Sequence, residues 1–75
     1  MKELVTFLAK NLVDRPEDVE VTTDEEDGVT QLFLCVADED KGKVIGKQGK
    51  VIKAIRSVLA VAAAKQDRRV MLDLE

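Results

Sequence analysis

The sequence predicts an α+β domain, a three-stranded mixed sheet with three helices packed on one face, in the order α-β-β-α-α-β. Two segments carry apolar residues at the three- and four-residue spacing of an amphipathic helix, and three shorter segments alternate apolar and polar residues as strands do. An Asp-Gly pair between the first two strand segments is typical of a β-hairpin. The 75 residues suit one domain rather than two, so we interpret residues 1–75 as a single domain.

The first half of the chain predicts a helix followed by the hairpin. The helix is expected over residues 2–13, because Pro16 disfavours helical conformation just before it. Its apolar stripe comprises Leu4, Val5, Phe7, Leu8, Ala9 and Leu12. A short strand is predicted over 19–22, the acidic run 24–28 is interpreted as a turn, and a stronger strand is predicted over 29–37. The strand side chains expected to meet the helices are Leu32, Leu34 and Val36. The opposite face carries Gln31, Phe33 and Cys35.

The second half predicts two helices around a glycine loop, then a closing strand. Asp38 is a plausible N-cap for a short helix that runs to about Ile45. A longer helix starts directly after the loop. Its buried stripe is expected to comprise Val51, Ile52, Ile55, Val58, Leu59 and Ala62. Alternation over 70–74 predicts the third strand, but the sequence does not fix which strand it pairs with.

Charge is divided unevenly along the chain. The formal net charge is −3 and the pI is near 4.9, whereas nucleic-acid-binding proteins are usually basic. Residues 1–40 contain three Lys/Arg and twelve Asp/Glu, a net of −9, but residues 41–75 contain nine Lys/Arg and three Asp/Glu, a net of +6. The stretch 41–56 holds six basic residues and no acidic one. This asymmetry indicates a local anion-binding surface, with an ordinary solvated helix face as the alternative.

The loop Gly46-Lys47-Gln48-Gly49 lies between the two predicted helices, inside this basic stretch. Glycine lets the backbone turn sharply and lets another backbone approach closely, since no Cβ is in the way. The loop leads into the N-terminus of the longer helix, where free N–H groups and the helix dipole favour an anion. A G-x-x-G pair alone is a weak signal, but this context predicts a phosphate-binding loop.

The stretch 44–55 (VIGKQGKVIKAI) resembles the V-I-G-x-x-G-x-x-I-x-x-I signature of K-homology (KH) domains. The resemblance covers the whole chain, because the predicted element order is that of the type II KH fold; a type I domain has the G-x-x-G motif early. The stretches 1–4 (MKEL), 12–14 (LVD) and 42–49 (GKVIGKQG) are similar to the small bacterial single-KH proteins of the KhpA family. That similarity implies an RNA chaperone or post-transcriptional regulator and a partner that carries a second KH domain.

The KH resemblance also implies which residues bind RNA. A KH loop clamps the backbone of about four nucleotides. The clamp would comprise Gly46 and Gly49 for backbone access, Lys47 for charge and Gln48 for neutral hydrogen bonding. Flanking phosphate contacts would come from Lys43, Lys50, Lys53 and Arg56. The groove floor would use Val44, Ile45, Ile52 and Ile55, with the second strand as the opposite wall, although these apolar residues also suit a core.

The composition excludes most enzymes. Without histidine, tryptophan or tyrosine, the chain lacks most general acid–base, metal and nucleophile arrangements. Cys35 has no histidine to activate it, Ser57 has no neighbouring base, and the acidic run 24–27 lacks the ligand spacing of a calcium loop. We therefore expect no catalytic activity, no cofactor and no metal.

The leading hypothesis is the binding of single-stranded RNA with little sequence preference. Only Phe7 and Phe33 are aromatic, so base stacking contributes little, and a second module is expected to raise the affinity. We therefore predict a homodimer or a complex with a second KH-domain protein. One alternative is a protein–protein adaptor that uses Phe33, Cys35 and Met71 or the alanine-rich helix; another is single-stranded DNA binding. The RNA targets and the pathway are not encoded.

A cytoplasmic location is expected. The single cysteine suits a reducing compartment. The apolar N-terminal residues are interrupted by Lys2, Glu3, Thr6 and Lys10, so no signal peptide is predicted. No apolar run approaches the roughly 20 residues needed to cross a bilayer, so no membrane association is expected.

Overall fold

Three helices and three strands follow one another in the predicted order in the computed structural model, which describes residues 1–75. The elements are α1 (Lys2–Leu12), β1 (Glu20–Glu26), β2 (Val29–Cys35), α2 (Lys41–Ile45), α3 (Lys50–Ala64) and β3 (Arg69–Leu74). Short 3-10 turns lie at Pro16–Asp18, Asp38–Asp40 and Lys47–Gly49. The arrangement confirms the predicted α+β class. No helix has the length and apolar character needed to cross a membrane.

The first strand is longer than its sequence suggested. We predicted a turn for the acidic run 24–28, but residues 24–26 belong to β1, and only Asp27 and Gly28 form the turn. Both turn residues have positive φ, 53° and 79°, as a two-residue type I′ hairpin turn requires. The carboxylates are tolerated because β1 is an edge strand on which every residue except Val21 is exposed. The turn prediction was therefore wrong for three of five residues.

The sheet order is β1-β2-β3, so the second strand is central. It pairs antiparallel with β1 across the hairpin and parallel with β3, which settles the pairing that the sequence left open. A parallel pair needs a long crossover connection, and here α2, the glycine loop and α3 provide it. The glycine loop therefore lies at a bend within the crossover.

The hydrophobic core lies between the sheet and the helices. The predicted inward face of the second strand is confirmed, since Leu32 and Leu34 are fully buried and Val36 nearly so, although the strand was predicted to reach residue 37 and ends at Cys35. The core cluster comprises Val5, Ala9, Val21, Leu32, Leu34, Val36, Val44, Ile52, Ile55, Leu59 and Leu72. Three predicted stripe residues are exposed instead: Phe7 and Leu12 on α1, at 64% and 37%, and Val58 on α3, at 49%. Each stripe was predicted wider than the surface its helix buries.

Asp40, which the sequence did not single out, fixes the start of α2. Its side chain is fully buried and accepts hydrogen bonds from the backbone N–H groups of Asp14 and Arg15, at 3.1 and 3.0 Å. These bonds join the end of α1 to the start of α2. The predicted N-cap, Asp38, makes no capping hydrogen bond and instead pairs with Lys41 at 3.3 Å on the surface. The N-cap prediction was wrong, because Asp40 occupies the position before α2, and its carboxylate bonds to the segment after α1 rather than to the helix.

Candidate nucleic-acid interface

The loop at residues 46–49 has a conformation that depends on glycine. Gly46 adopts φ 78° and ψ 172°, a backbone region that is almost exclusive to glycine. Gln48 and Gly49 follow in the left-handed region, with φ 57° and 74°. Three positive φ values within four residues bend the chain sharply between α2 and α3.

Gly46 also permits a close approach between the loop and α3. A Cβ built on Gly46 would lie 2.3 Å from Val51 Cγ2 and 2.8 Å from the Val51 backbone nitrogen. A Cβ built on Gly49 would meet only the end of the Lys53 side chain, at 3.9 Å. The first glycine is therefore required by both backbone and packing, and the second by backbone alone.

The N-terminus of α3 combines unpaired positive charge with backbone donors. No side chain caps this 15-residue helix, and its first turn contains no acidic residue. A helix N-terminus carries a partial positive charge and N–H groups without intrahelical acceptors. Lys47, Lys50 and Lys53 are exposed and have no ion-pair partner. These three lysines and the helix end form a surface that can hold phosphate groups.

Lys43, a predicted phosphate contact, has an internal partner. Its ammonium group donates to the Asp14 carboxylate and lies 4.0 Å from Asp40 Oδ1. The hydrogen bond to Asp14 raises the pKa of Lys43, partial burial opposes the shift, and the charges of Asp14 and Asp40 add to the increase. A phosphate would have to compete with Asp14 for this lysine.

Arg56, another predicted phosphate contact, is tied to the sheet. Its Nε donates to the backbone oxygen of Leu72 at 3.1 Å, so the guanidinium bridges α3 and β3. Since Nε is used in this bond, the two terminal nitrogens remain for other acceptors. The structure therefore places Arg56 beside β3, one helical turn beyond Lys53.

The predicted groove residues divide between core and surface. Val44 is fully buried, and Ile52 and Ile55 are only 7% and 6% exposed. Ile45 is 40% exposed at the end of α2 and is the one apolar member with substantial free surface. Ile52 and Ile55 could offer a ligand only a thin edge of their side chains.

The wall facing α3 is β3, not the second strand. Because β2 lies in the middle of the sheet, the strand edge next to α3 belongs to β3. A shallow depression between them is lined by Arg56, Leu59, Ala60, Val70, Met71, Leu72 and Asp73. The sequence analysis named Met71 only as a contact of the alternative adaptor and did not single out Asp73, since their position beside α3 follows from the parallel pairing of β3, which the strand pattern does not specify.

Comparison with known proteins identifies the family. The family model described as "KhpA/KhpB, KH domain" matches residues 2–74. A protein of Clostridium perfringens named RNA-binding protein KhpA is 50% identical over 74 residues, which is 99% of each chain. Proteins of the same name from Halalkalibacterium halodurans and Listeria monocytogenes are 50% and 43% identical, covering 99% of this chain and 97% of theirs. With its type II order of elements and its glycine loop, the chain belongs to the KhpA/KhpB family of KH domains.

Proposed function

We propose that this protein binds single-stranded RNA by holding the phosphate backbone at the loop 46–49 and the N-terminus of α3. The observation that carries the proposal is the group of three unpaired lysines, Lys47, Lys50 and Lys53, beside an uncapped helix end without acidic residues. The similar proteins named above are called RNA-binding proteins, which supports the same ligand here. An RNA chaperone or post-transcriptional regulator in the cytoplasm is the role we propose for such binding.

The affinity should be modest and sensitive to salt. Each phosphate neutralised on a single strand contributes about −0.7 to the slope of log K against log salt concentration. Three lysine contacts therefore predict a slope of about −2, or about a 20-fold loss of affinity between 50 and 200 mM salt. Neither phenylalanine lies in the loop or in its flanking helices, so base stacking adds little to this binding.

The deciding experiment changes the charge of the loop without changing its glycines. Replacing Lys47→Asp and Gln48→Asp should weaken RNA binding strongly and flatten the salt slope, as measured by fluorescence anisotropy with a labelled oligonucleotide at two salt concentrations. Parallel titrations with RNA and DNA of the same sequence test whether the 2′-hydroxyl contributes to binding, since the loop sequence does not show which residue would contact that group.

The chain offers a matched control. Lys65 and Gln66 repeat the same residue pair at the far end of α3, about 22 Å away for 15 residues at 1.5 Å each. Lys65→Asp with Gln66→Asp makes an identical change of composition and net charge. The control should retain most of the RNA affinity. Equal loss in both variants would show that only overall charge matters, and unchanged affinity in a folded loop variant would exclude the clamp.

We further propose that the working unit contains two KH domains, as a homodimer or a complex with a second KH-domain protein. The outer side of α3 exposes Val58 and Val61, at 49% and 61%, next to Ala62. Burial of this stripe against a second domain would also place two phosphate-binding loops in one complex, which raises the overall affinity through effective concentration. A family model that covers both KhpA and KhpB supports a second KH protein as partner.

Sedimentation tests this assembly directly. Either the protein alone or its mixture with a candidate KH-domain partner should sediment as a dimer, and Val61→Asp should return it to a monomer without altering its circular dichroism. A protein that stays monomeric at high concentration, alone and in the mixture, would contradict the proposed assembly.

A further inference from the structure

The sheet has one face that nothing in the domain covers. All three helices pack against the side that carries Val21, Leu32, Leu34 and Leu72. By strand alternation and the ladder registers, the uncovered side carries Glu20, Thr22, Asp24 and Glu26 from β1, Val29, Gln31, Phe33 and Cys35 from β2, and Arg69, Met71 and Asp73 from β3. We call these eleven residues the open face.

The open face carries four apolar residues around one polar position, Gln31, whose side chain donates to Asp73 Oδ2 at 3.1 Å. Val29, Phe33 and Cys35 lie along β2, and Met71 on β3 pairs in register with Gln31, one diagonal step from Phe33. Met71 is 58% exposed and Cys35 is exposed. Parallel strands are usually covered on both faces. The β2–β3 pair here is parallel yet covered on only one face, so these four apolar side chains are left without a cover from the domain.

The rim of the open face is acidic. Glu20, Asp24 and Glu26 line the β1 side, and Asp73 lies on the β3 side. The only basic residue of the open face is Arg69. None of the three β1 carboxylates has an ion-pair partner, whereas their inward-facing neighbour Glu25 pairs with Arg68 and accepts from Thr30 at 3.0 Å. The open face therefore has a net charge of −3 from four acidic groups and one basic group, which repels RNA.

We infer that the open face docks a basic amphipathic segment of a partner protein, with its apolar side chains on Phe33 and Met71 and its Lys or Arg side chains on the acidic rim. The dimensions agree, because a helix about 10 Å across covers two or three strands spaced about 4.8 Å apart. Opposite charges at the rim would set the orientation and speed the encounter. Since the helices and the basic loop lie on other surfaces, RNA and the partner can bind together.

Cys35 provides a local reporter for this site, because it is the only cysteine and lies on the open face. The rate of its alkylation by iodoacetamide would be measured with a designed helical peptide, about 15 residues long, that has leucines on one side and lysines at both flanks. A matched peptide carries glutamate in place of each lysine. At twice its Kd the basic peptide leaves a third of the sites free, so alkylation should slow about threefold, while the acidic peptide should have no effect.

Two variants separate charge at the rim from overall charge. Asp24→Lys with Glu26→Lys should abolish protection by the basic peptide and create protection by the acidic one. Glu17→Lys with Asp18→Lys changes the net charge equally, away from the open face, and should leave protection by the basic peptide intact; the exposed ion pairs it removes contribute little. Melting curves verify that both variants are folded.

Several outcomes would overturn the proposal. Equal effects of both peptides, or no effect of either, would remove the basic segment as the occupant. Slower alkylation on raising the protein concentration alone would identify a second copy of this chain instead. Slower alkylation with single-stranded RNA would make the open face a nucleic-acid surface.

Discussion

Replacement of Gly46 by alanine is the sharpest test of how the loop is built. The added methyl group must displace Val51, whose Cγ2, Cβ and backbone nitrogen would lie 2.3, 2.7 and 2.8 Å away. The side chain can rotate, but the nitrogen belongs to the first turn of α3, so the helix itself has to shift. The positive φ of 78° with ψ of 172° adds backbone strain for any residue with a Cβ.

The two costs can be compared with those at the other glycines. A non-glycine residue in this region costs about 1–3 kcal/mol, and overpacking adds about 1–3 kcal/mol, so we expect about 3 kcal/mol or more for Gly46→Ala. Gly49→Ala meets no close neighbour and should cost about 1 kcal/mol for its left-handed backbone. Gly42→Ala, within α2 with ordinary φ and open space, should stabilise by about 0.5–1 kcal/mol.

Thermal unfolding followed by circular dichroism measures all three variants. For 75 residues with an unfolding entropy of about 2.1 cal/mol/K per residue, a change of 1 kcal/mol in the free energy of unfolding shifts the Tm by about 6 °C. The Tm should fall by about 18 °C for Gly46→Ala and about 6 °C for Gly49→Ala, and rise by about 3–6 °C for Gly42→Ala. A Gly46→Ala protein that melts as high as Gly49→Ala would refute the steric reasoning.

Three further predictions concern the charged groups. Asp40→Asn should lower the free energy of unfolding by about 1–3 kcal/mol, because an amide offers one acceptor oxygen in place of the two that now bind the N–H groups of Asp14 and Arg15; an unchanged midpoint in urea unfolding would contradict the role of Asp40. The pKa of Lys43 is raised, first by its hydrogen bond to Asp14, so the charged lysine stabilises the fold below its ordinary pKa. This stabilisation is lost as the pH rises through the raised pKa. Asp14→Asn should therefore lower the pKa of Lys43 in an NMR titration and reduce the loss of stability at alkaline pH. Lys53→Ala should reduce the RNA salt slope by about 0.7, and Lys43→Ala should reduce it by less, because Lys43 is already paired.

Most of the fold follows from local patterns in the sequence. Apolar spacing predicts α1 and α3, and strand alternation with Asp-Gly predicts the hairpin, because these signals depend on near neighbours in the chain. The glycine motif and the order of elements also predict the family, and membership of a non-enzymatic KH family confirms that the chain is not an enzyme. The extent of β1 was missed because edge-strand residues that face solvent need no apolar alternation.

Features that depend on distant parts of the chain could not be predicted. Asp40 looks like one of three consecutive acidic residues, and only the packing of α1 against α2 places two amide groups against its carboxylate. The parallel pairing of β3 likewise follows from the path of the crossover. For the candidate site this means that the loop was predictable, whereas the internal partners of Lys43 and Arg56 were not.

The uneven charge of the chain takes on a spatial meaning in the fold. The carboxylates of β1 lie on an edge strand and the open face, while the unpaired lysines lie around the loop and the start of α3. The excess of acidic residues weakens non-specific attraction to nucleic acid over most of the surface. The positive potential near the loop then determines where a nucleic-acid backbone binds. With few phosphate contacts and little stacking, such a domain gains affinity from a second module rather than from a larger footprint. The same separation of charge leaves the open face available for a basic protein segment while RNA occupies the loop.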